Sequence, residues 1–222
     1  MRAFRALSLA TFGLLLTSAA AQAQQQRWDD SFKWYIGAQA GVLGFKTPTQ
    51  SQGWVPTVGG QLNIVAKRTG LLLSVDEAFG SNETSGYTDV NAANNVRDVS
   101  FSHLRKYSAI LTGYPVRGKT QPYFGLGFGL LQVINPQPGG FFTSPAQANL
   151  ARDLASNKST DGFISFVTGI QFRVGRTVGF GQYQLSSAPS AGRLIRGASH
   201  ALVGGLRFSL GGAREGIKGG GY

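Results

Sequence analysis

The chain has 222 residues, 32 of them glycine, with 42% hydrophobic, 11% aromatic and 14% charged residues. Ordinary soluble domains carry about 25% charge, so the deficit argues against a solvated helical enzyme, and the aromatic content argues against disorder. Cysteine is absent, which excludes disulfide frameworks and cysteine-based zinc sites. The formal charge of +11 has to be located before it is read as a sign of nucleic acid.

Arg2 and Arg5 open the chain, an apolar run follows over 7–20, and Ala21-Gln22-Ala23 forms a small-x-small triplet. This is the three-part pattern of a secretory signal peptide, cleaved after Ala23. The apolar run is shorter than the ~20 residues a spanning helix needs. Removing 1–23 takes away Arg2 and Arg5 and no acid, so the charge falls from +11 to +9. The expected organisation is a signal over 1–23, one domain over 24–211 and a Gly-rich tail over 212–222.

Beyond the signal, helical periodicity gives way to alternation of period two, punctuated by Gly, Pro and Asn. Eight strands are expected, over 33–45, 54–67, 71–80, 99–114, 122–134, 163–174, 178–187 and 200–210. In the first, Trp34, Ile36, Ala38, Ala40 and Val42 share a face opposite Tyr35, Gly37, Gln39 and Gly41. In the fifth, Phe124, Leu126, Phe128 and Leu130 oppose Tyr123, Gly125, Gly127 and Gly129. The sixth sets Ile164, Phe166, Ile170 and Phe172 against Ser165, Gly169, Gln171 and Arg173. The eighth sets Leu202, Leu206, Phe208 and Leu210 against Val203, Gly205, Arg207 and Ser209. A soluble barrel would turn its bulky face inward and leave glycine outside, where it packs nothing. A membrane barrel does the reverse, and an eight-stranded lumen has room for small or interlocking side chains.

The expected connections alternate in length. Those at 68–70, 115–121 and 175–177 are short, and those at 46–53, 81–98, 135–162 and 188–199 are long, as in barrels with short periplasmic turns and long outer loops. The positive charge gathers at the short turns, with Lys67 and Arg68, Arg117 and Lys119, and Arg176. No basic stripe interleaves with stacking aromatics, so nucleic acid is not an expected partner.

With these features the sequence resembles the small eight-stranded outer-membrane β-barrel family, which includes the barrel of outer-membrane protein A and porin-like barrels. The resemblance covers about 24–211. It implies an all-β, antiparallel, up-and-down transmembrane barrel, residence in the outer-membrane bilayer, and insertion by the outer-membrane assembly machinery. That machinery typically reads an aromatic-rich last strand, which Gly205–Leu210 resembles; the chain then continues to Tyr222.

Several residues invite chemistry. Gly125-x-Gly127-x-Gly129 lacks the third gap and the following helix of a phosphate-binding loop, and reads as a lumen stripe. His103 follows Ser100 and Ser102 with Asp98 nearby, and His200 follows Ser199. Lipid-modifying hydrolase barrels carry a histidine-x-serine pattern that is absent here, where Arg105 and Leu202 hold the second positions. Neither a cofactor nor a metal site is expected.

The expected lumen network comprises Gln39, Gln61, Asn63, Asp76, Lys106, Gln171, Arg173 and Arg207. Asp76 points inward if Leu71, Leu73 and Val75 face lipid. Lys106 lies on a strand that alternates poorly, so both faces stay open. Charges at membrane depth face the interior and pair; the rival placement puts the arginines at the periplasmic rim, snorkelling into headgroups. Trp34, Tyr114, Tyr123 and Phe208 at one set of strand ends, and Phe45, Trp54, Phe101 and Phe163 at the other, suit interfacial girdles. Ala146–Ala155 is expected to form a short helix in the longest loop. The sequence therefore points to a closed outer-membrane barrel with a structural or surface-interaction role. The alternatives are a soluble lipocalin-like barrel for a small apolar ligand, or a lipid-modifying hydrolase.

Overall fold

The computed structural model describes residues 31–92 and 94–214. The expected signal, with its cleavage residues Ala21 and Ala23, and the last residues through Tyr222 lie outside them. Eight long strands form the wall: β1 (Ser31–Lys46), β2 (Gly53–Ala66), β3 (Thr69–Thr88), β4 (Val96–Gly113), β5 (Thr120–Ile134), β7 (Thr160–Val174), β8 (Thr177–Ser186) and β9 (Arg196–Arg214). A two-residue strand, β6 (Gln137–Pro138), and one helix, α1 (Pro145–Asn157), lie in the loop between β5 and β7. Every long strand pairs antiparallel with its neighbours in the chain, and β1 also pairs with β9, which closes the barrel.

The register fixes the geometry. Gln132 of β5 pairs with Arg105, Arg105 with Glu77, Glu77 with Val58 and Val58 with Ala40. The path continues from Ala40 to Gly204, Gly181 and Ile170, and returns to β5 at Pro122 rather than Gln132. The difference between 132 and 122 is a shear of ten residues. With eight strands, a rise of about 3.3 Å and a spacing of about 4.8 Å, this shear gives a tilt of about 41° and a backbone radius of roughly 8 Å. Such a tube holds side chains and little else.

The faces are as the alternation requires. Leu126, Phe128, Leu111 and Ile164 are 62, 70, 71 and 69% exposed on the outside, a continuous apolar surface that belongs against lipid. The inward glycines permit close approach. A Cβ at Gly127 would overlap the Ala109 carbonyl oxygen, and one at Gly59 would overlap the Asp76 carboxylate.

Two short turns are two-residue hairpins that begin with a positive φ, at Lys67 (56°) and Gly175 (60°). This matches the twist of the flanking strands. The expected long loop over 81–98 is largely strand instead: β3 and β4 run on to Thr88 and back from Val96. A register shift between Phe79 and Glu83 carries the ladder past the polar segment that breaks the alternation. β9 likewise extends through Arg214, pairing Gly212–Arg214 of the expected tail with the first residues of β1. The expected helix is present and starts where its capping signals put it: the Ser144 hydroxyl accepts from the Gln147 N–H at 3.2 Å, and Pro145 takes the first turn.

Candidate functional site

The interior is built in layers along the barrel axis. At the short-turn end Leu72, Ile110, Tyr114, Tyr123 and Val167 pack together. Tyr114 and Tyr123 are 5 and 2% exposed, so they point into the lumen and are not part of a lipid-facing girdle. Their hydroxyls explain the choice. Asn63 Nδ2 donates to the Tyr114 hydroxyl at 3.0 Å, and the Tyr123 hydroxyl donates to Gln182 Oε1 at 2.8 Å. Phe45, Phe101 and Phe163 turn inward as well. Trp34, Trp54 and Phe208 stay outside, at 39, 55 and 51% exposure.

The next layer centres on Arg207, 1% exposed. Its Nε donates to Gln61 Oε1 at 3.0 Å and its Nη1 to Gln171 Oε1 at 3.1 Å. The guanidinium lies 4.0 Å from the centroid of the Phe180 ring. No carboxylate bonds it among the described residues; amide oxygens and the negative face of a ring take that place. Gln171 Nε2 donates onward to Gln121 Oε1 at 2.8 Å. Arg207 is therefore a lumen residue rather than a snorkelling one. Arg173, half-buried, lies over the Tyr35 ring at 5.8 Å.

Asp76 and Lys106 form the layer above, 4 and 3% exposed. Lys106 Nζ lies 3.9 Å from Asp76 Oδ2 and donates to Gln184 Oε1 at 2.8 Å. Gln39 Nε2 also donates to Asp76, as does the Ser74 hydroxyl at 3.4 Å. Gln184 Nε2 reaches Ser165 Oγ at 2.7 Å. The facing of Lys106 is thus decided by a carboxylate directly across the ladder, since Asp76 and Lys106 are register partners. Gln182 and Gln184, the hubs of the two layers, are absent from the expected network. The signal that could have found them is the alternation of β8 itself, where Gln182 and Gln184 flank Tyr183.

Above the charged layers the lumen becomes apolar. Phe45, Val55, Val99, Leu104 and Val133 meet Ala155 of α1 and Leu194 and Ile195 of the 187–195 loop. Ala155 and Leu194 are fully buried. Backbone acceptors tie this cover down: the Ser85 hydroxyl donates to the Leu194 carbonyl at 2.6 Å and the Tyr87 hydroxyl to the Ala151 carbonyl at 2.9 Å. At the rim, Arg97 Nε donates to Asp89 Oδ2 at 2.5 Å and Arg97 Nη1 to the Gly139 carbonyl at 2.9 Å. This pair joins the β3–β4 hairpin to the loop before α1. The bonded Arg97 guanidinium holds the Asp89 carboxyl below the usual carboxylate range.

The histidines do not assemble a triad. Ser102 Oγ and His103 Nδ1 are 2.7 Å apart, and the ring stands edge-on to Phe79. His200 Nδ1 meets the Tyr183 hydroxyl at 2.6 Å. Neither histidine has a carboxylate partner among the described residues.

Comparison with known proteins agrees with this architecture. No curated protein matches the chain. The crystal structure of Neisserial surface protein A superposes with a TM-score of 0.52 at 12% identity, covering 79% of this chain and 96% of that one. The N-terminal β-barrel domain of OprF from Pseudomonas aeruginosa gives 0.45 at 10% identity, covering 82% and 99%. At such identities only the first likeness bears on the fold, and on nothing beyond it. The profile of the outer membrane protein beta-barrel domain matches residues 10–187. The chain therefore belongs to the outer membrane protein beta-barrel domain family and resides in the outer membrane.

Proposed function

We propose that this barrel is closed to ions and that its role, structural or surface-interacting, is exercised by the outer loops. The observation that carries this reading is the filling of the lumen: two hydrogen-bonded charged layers, around Arg207 and around Asp76–Lys106, beneath an apolar cover held by α1 and the 187–195 loop. An ion entering from the outside would first have to cross a dry apolar layer, where transfer of an unpaired charge costs many kcal/mol. No catalysis is part of this reading: among the described residues the Ser102–His103 contact has no carboxylate of the kind that orients a triad histidine. Insertion by the assembly machinery would use the outward Leu206, Phe208 and Leu210 of β9.

The test is conductance. Full-length protein reconstituted in a planar bilayer is expected to give no stable current steps. Large steps that persist after the loops are trimmed would overturn this reading and assign the protein a pore function.

A further inference from the structure

The outer face carries a cleft that the lumen layers do not use. It encloses about 720 Å³ between the 47–52 loop, the tips of β3 and β4, and the 187–195 loop. This volume suits a ligand of disaccharide size, since small-molecule sites run from about 300 to 1,000 Å³. Its lining includes three cations, Lys158, Arg193 and Arg196, and no carboxylate. Thr49, Thr88 and Ser190 also line it; the Ser190 hydroxyl donates to Asp161 at 3.4 Å and the Thr49 hydroxyl to Thr84 at 3.4 Å, which leaves their oxygens to accept.

The cations are only partly satisfied. Lys158 Nζ donates to the Gly192 carbonyl at 3.2 Å and lies 5.9 Å from the centroid of the Tyr87 ring. Arg193 Nη1 donates to the Asn157 carbonyl at 2.6 Å, and its Nε is 3.9 Å from Asp161, which also accepts from the Ser190 N–H. Arg196 is exposed and has no ionic partner among the described residues. It stands opposite Lys46 in the β1–β9 ladder, and like charges in such a pair repel. At the same end Arg97, by contrast, is buried against Asp89.

We propose that this cleft binds a phosphorylated saccharide, with the phosphate held by Arg196, Lys158 and Arg193 and the sugar hydroxyls met by Thr49, Thr88 and Ser190. A phosphate monoester carries close to two negative charges and three strong acceptors, which matches several cations lining one cleft better than a carboxylate does. The same chemistry is offered by a soluble sugar phosphate and by a phosphorylated glycolipid headgroup in the outer leaflet.

The experiment uses the full-length protein in phosphatidylcholine nanodiscs, titrated by calorimetry with trehalose 6-phosphate and with trehalose. A parallel arm detects adducts of bisphosphorylated lipid A and its dephosphorylated form by native mass spectrometry. Phosphate-dependent binding in the first arm assigns a soluble ligand, and in the second arm alone a lipid headgroup. Arg196→Gln and Lys158→Gln are each expected to weaken binding about ten-fold, and added salt to weaken it further. The control Arg176→Gln, at a turn on the opposite end, is expected to leave it unchanged. Arg196→Gln removes an exposed side chain, so it carries the test even if Lys158→Gln disturbs the fold. Absence of phosphate-dependent binding in both arms, or equal binding by Arg196→Gln and Arg176→Gln, would overturn the proposal.

Discussion

The two halves of the lumen solve the same packing problem in opposite ways. Above the layer of Leu72, Ile110 and Val167 at the short turns, polar and charged side chains cross the bore and bond one another: Arg207 with Gln61 and Gln171, Lys106 with Asp76 and Gln184. Toward the outer loops, Phe45, Phe101, Leu104 and Val133 fill the bore, and Ala155 and Leu194 cover it. What differs is the supply of partners. Deep in the tube each strand contributes one inward residue per two positions, and facing residues can be matched in fixed register. At the mouth the loops return over the opening, held without a ladder by apolar contacts and by a few side-chain bonds to backbone, such as Ser85 to Leu194 and Tyr87 to Ala151.

This contrast predicts different costs of damage. Asp76→Ala is expected to destabilise the barrel most, by about 3–5 kcal/mol, because it leaves Lys106 buried without its counter-charge. Urea unfolding in micelles measures this. A double replacement of Asp76 and Lys106 by Leu should be much milder than Asp76→Ala alone, since an apolar pair leaves no orphan charge. Equal losses for the single and the double variant would mean that the two side chains do not work as a pair.

The contrast between inside and outside is tested next. Leu126→Arg puts a charge on the lipid face and is expected to cost about 2–4 kcal/mol near the bilayer midplane. If the Leu126→Arg barrel folds with wild-type stability and still runs faster on a gel unheated than boiled, the faces are reversed. Gly127→Ala should fail as well as Gly127→Leu, because the first added carbon already meets the Ala109 carbonyl oxygen.

In the outer half, Leu194→Ala is expected to cost about 2 kcal/mol, at the lower limit for a core leucine because the cover can settle. Faster hydrogen exchange confined to α1 and the 187–195 loop is the expected signature. A uniform loss across the strands would make the cover part of the barrel's cooperative core.

The smallest effect concerns the Asp89–Arg97 clamp. Its folded carboxyl titrates below the ordinary value near 3.9, so the stabilisation is fully present above that pH and is lost as pH falls through the depressed folded value. The β3–β4 tip and the loop before α1 should therefore separate only in strong acid. Asp89→Asn should loosen them at neutral pH, read as faster exchange of the Gly139 amide, while the wall strands are unchanged.

The comparison also separates two kinds of information. Alternation determined most of the strands and their faces, because a period of two assigns every side chain to one of two surfaces; on β4, where it is poor, the facing of Lys106 came from Asp76 across the ladder. Gln39, Gln61, Asp76 and Gln171, which parity turns inward, are buried in the structure. The same parity put Tyr123 with Gly125 and Phe163 with Ser165, so the inward facing of these rings was legible, although position near a strand end suggested a girdle. Partner choice across the bore was not legible. That Arg207 reaches Gln61, or that Lys106 reaches Gln184, depends on the shear that brings distant strands to one level. The apolar cover likewise exists only because closure brings α1 and the 187–195 loop over one mouth. Local sequence sets which way a side chain points; the tilt and closure of the tube set what it meets.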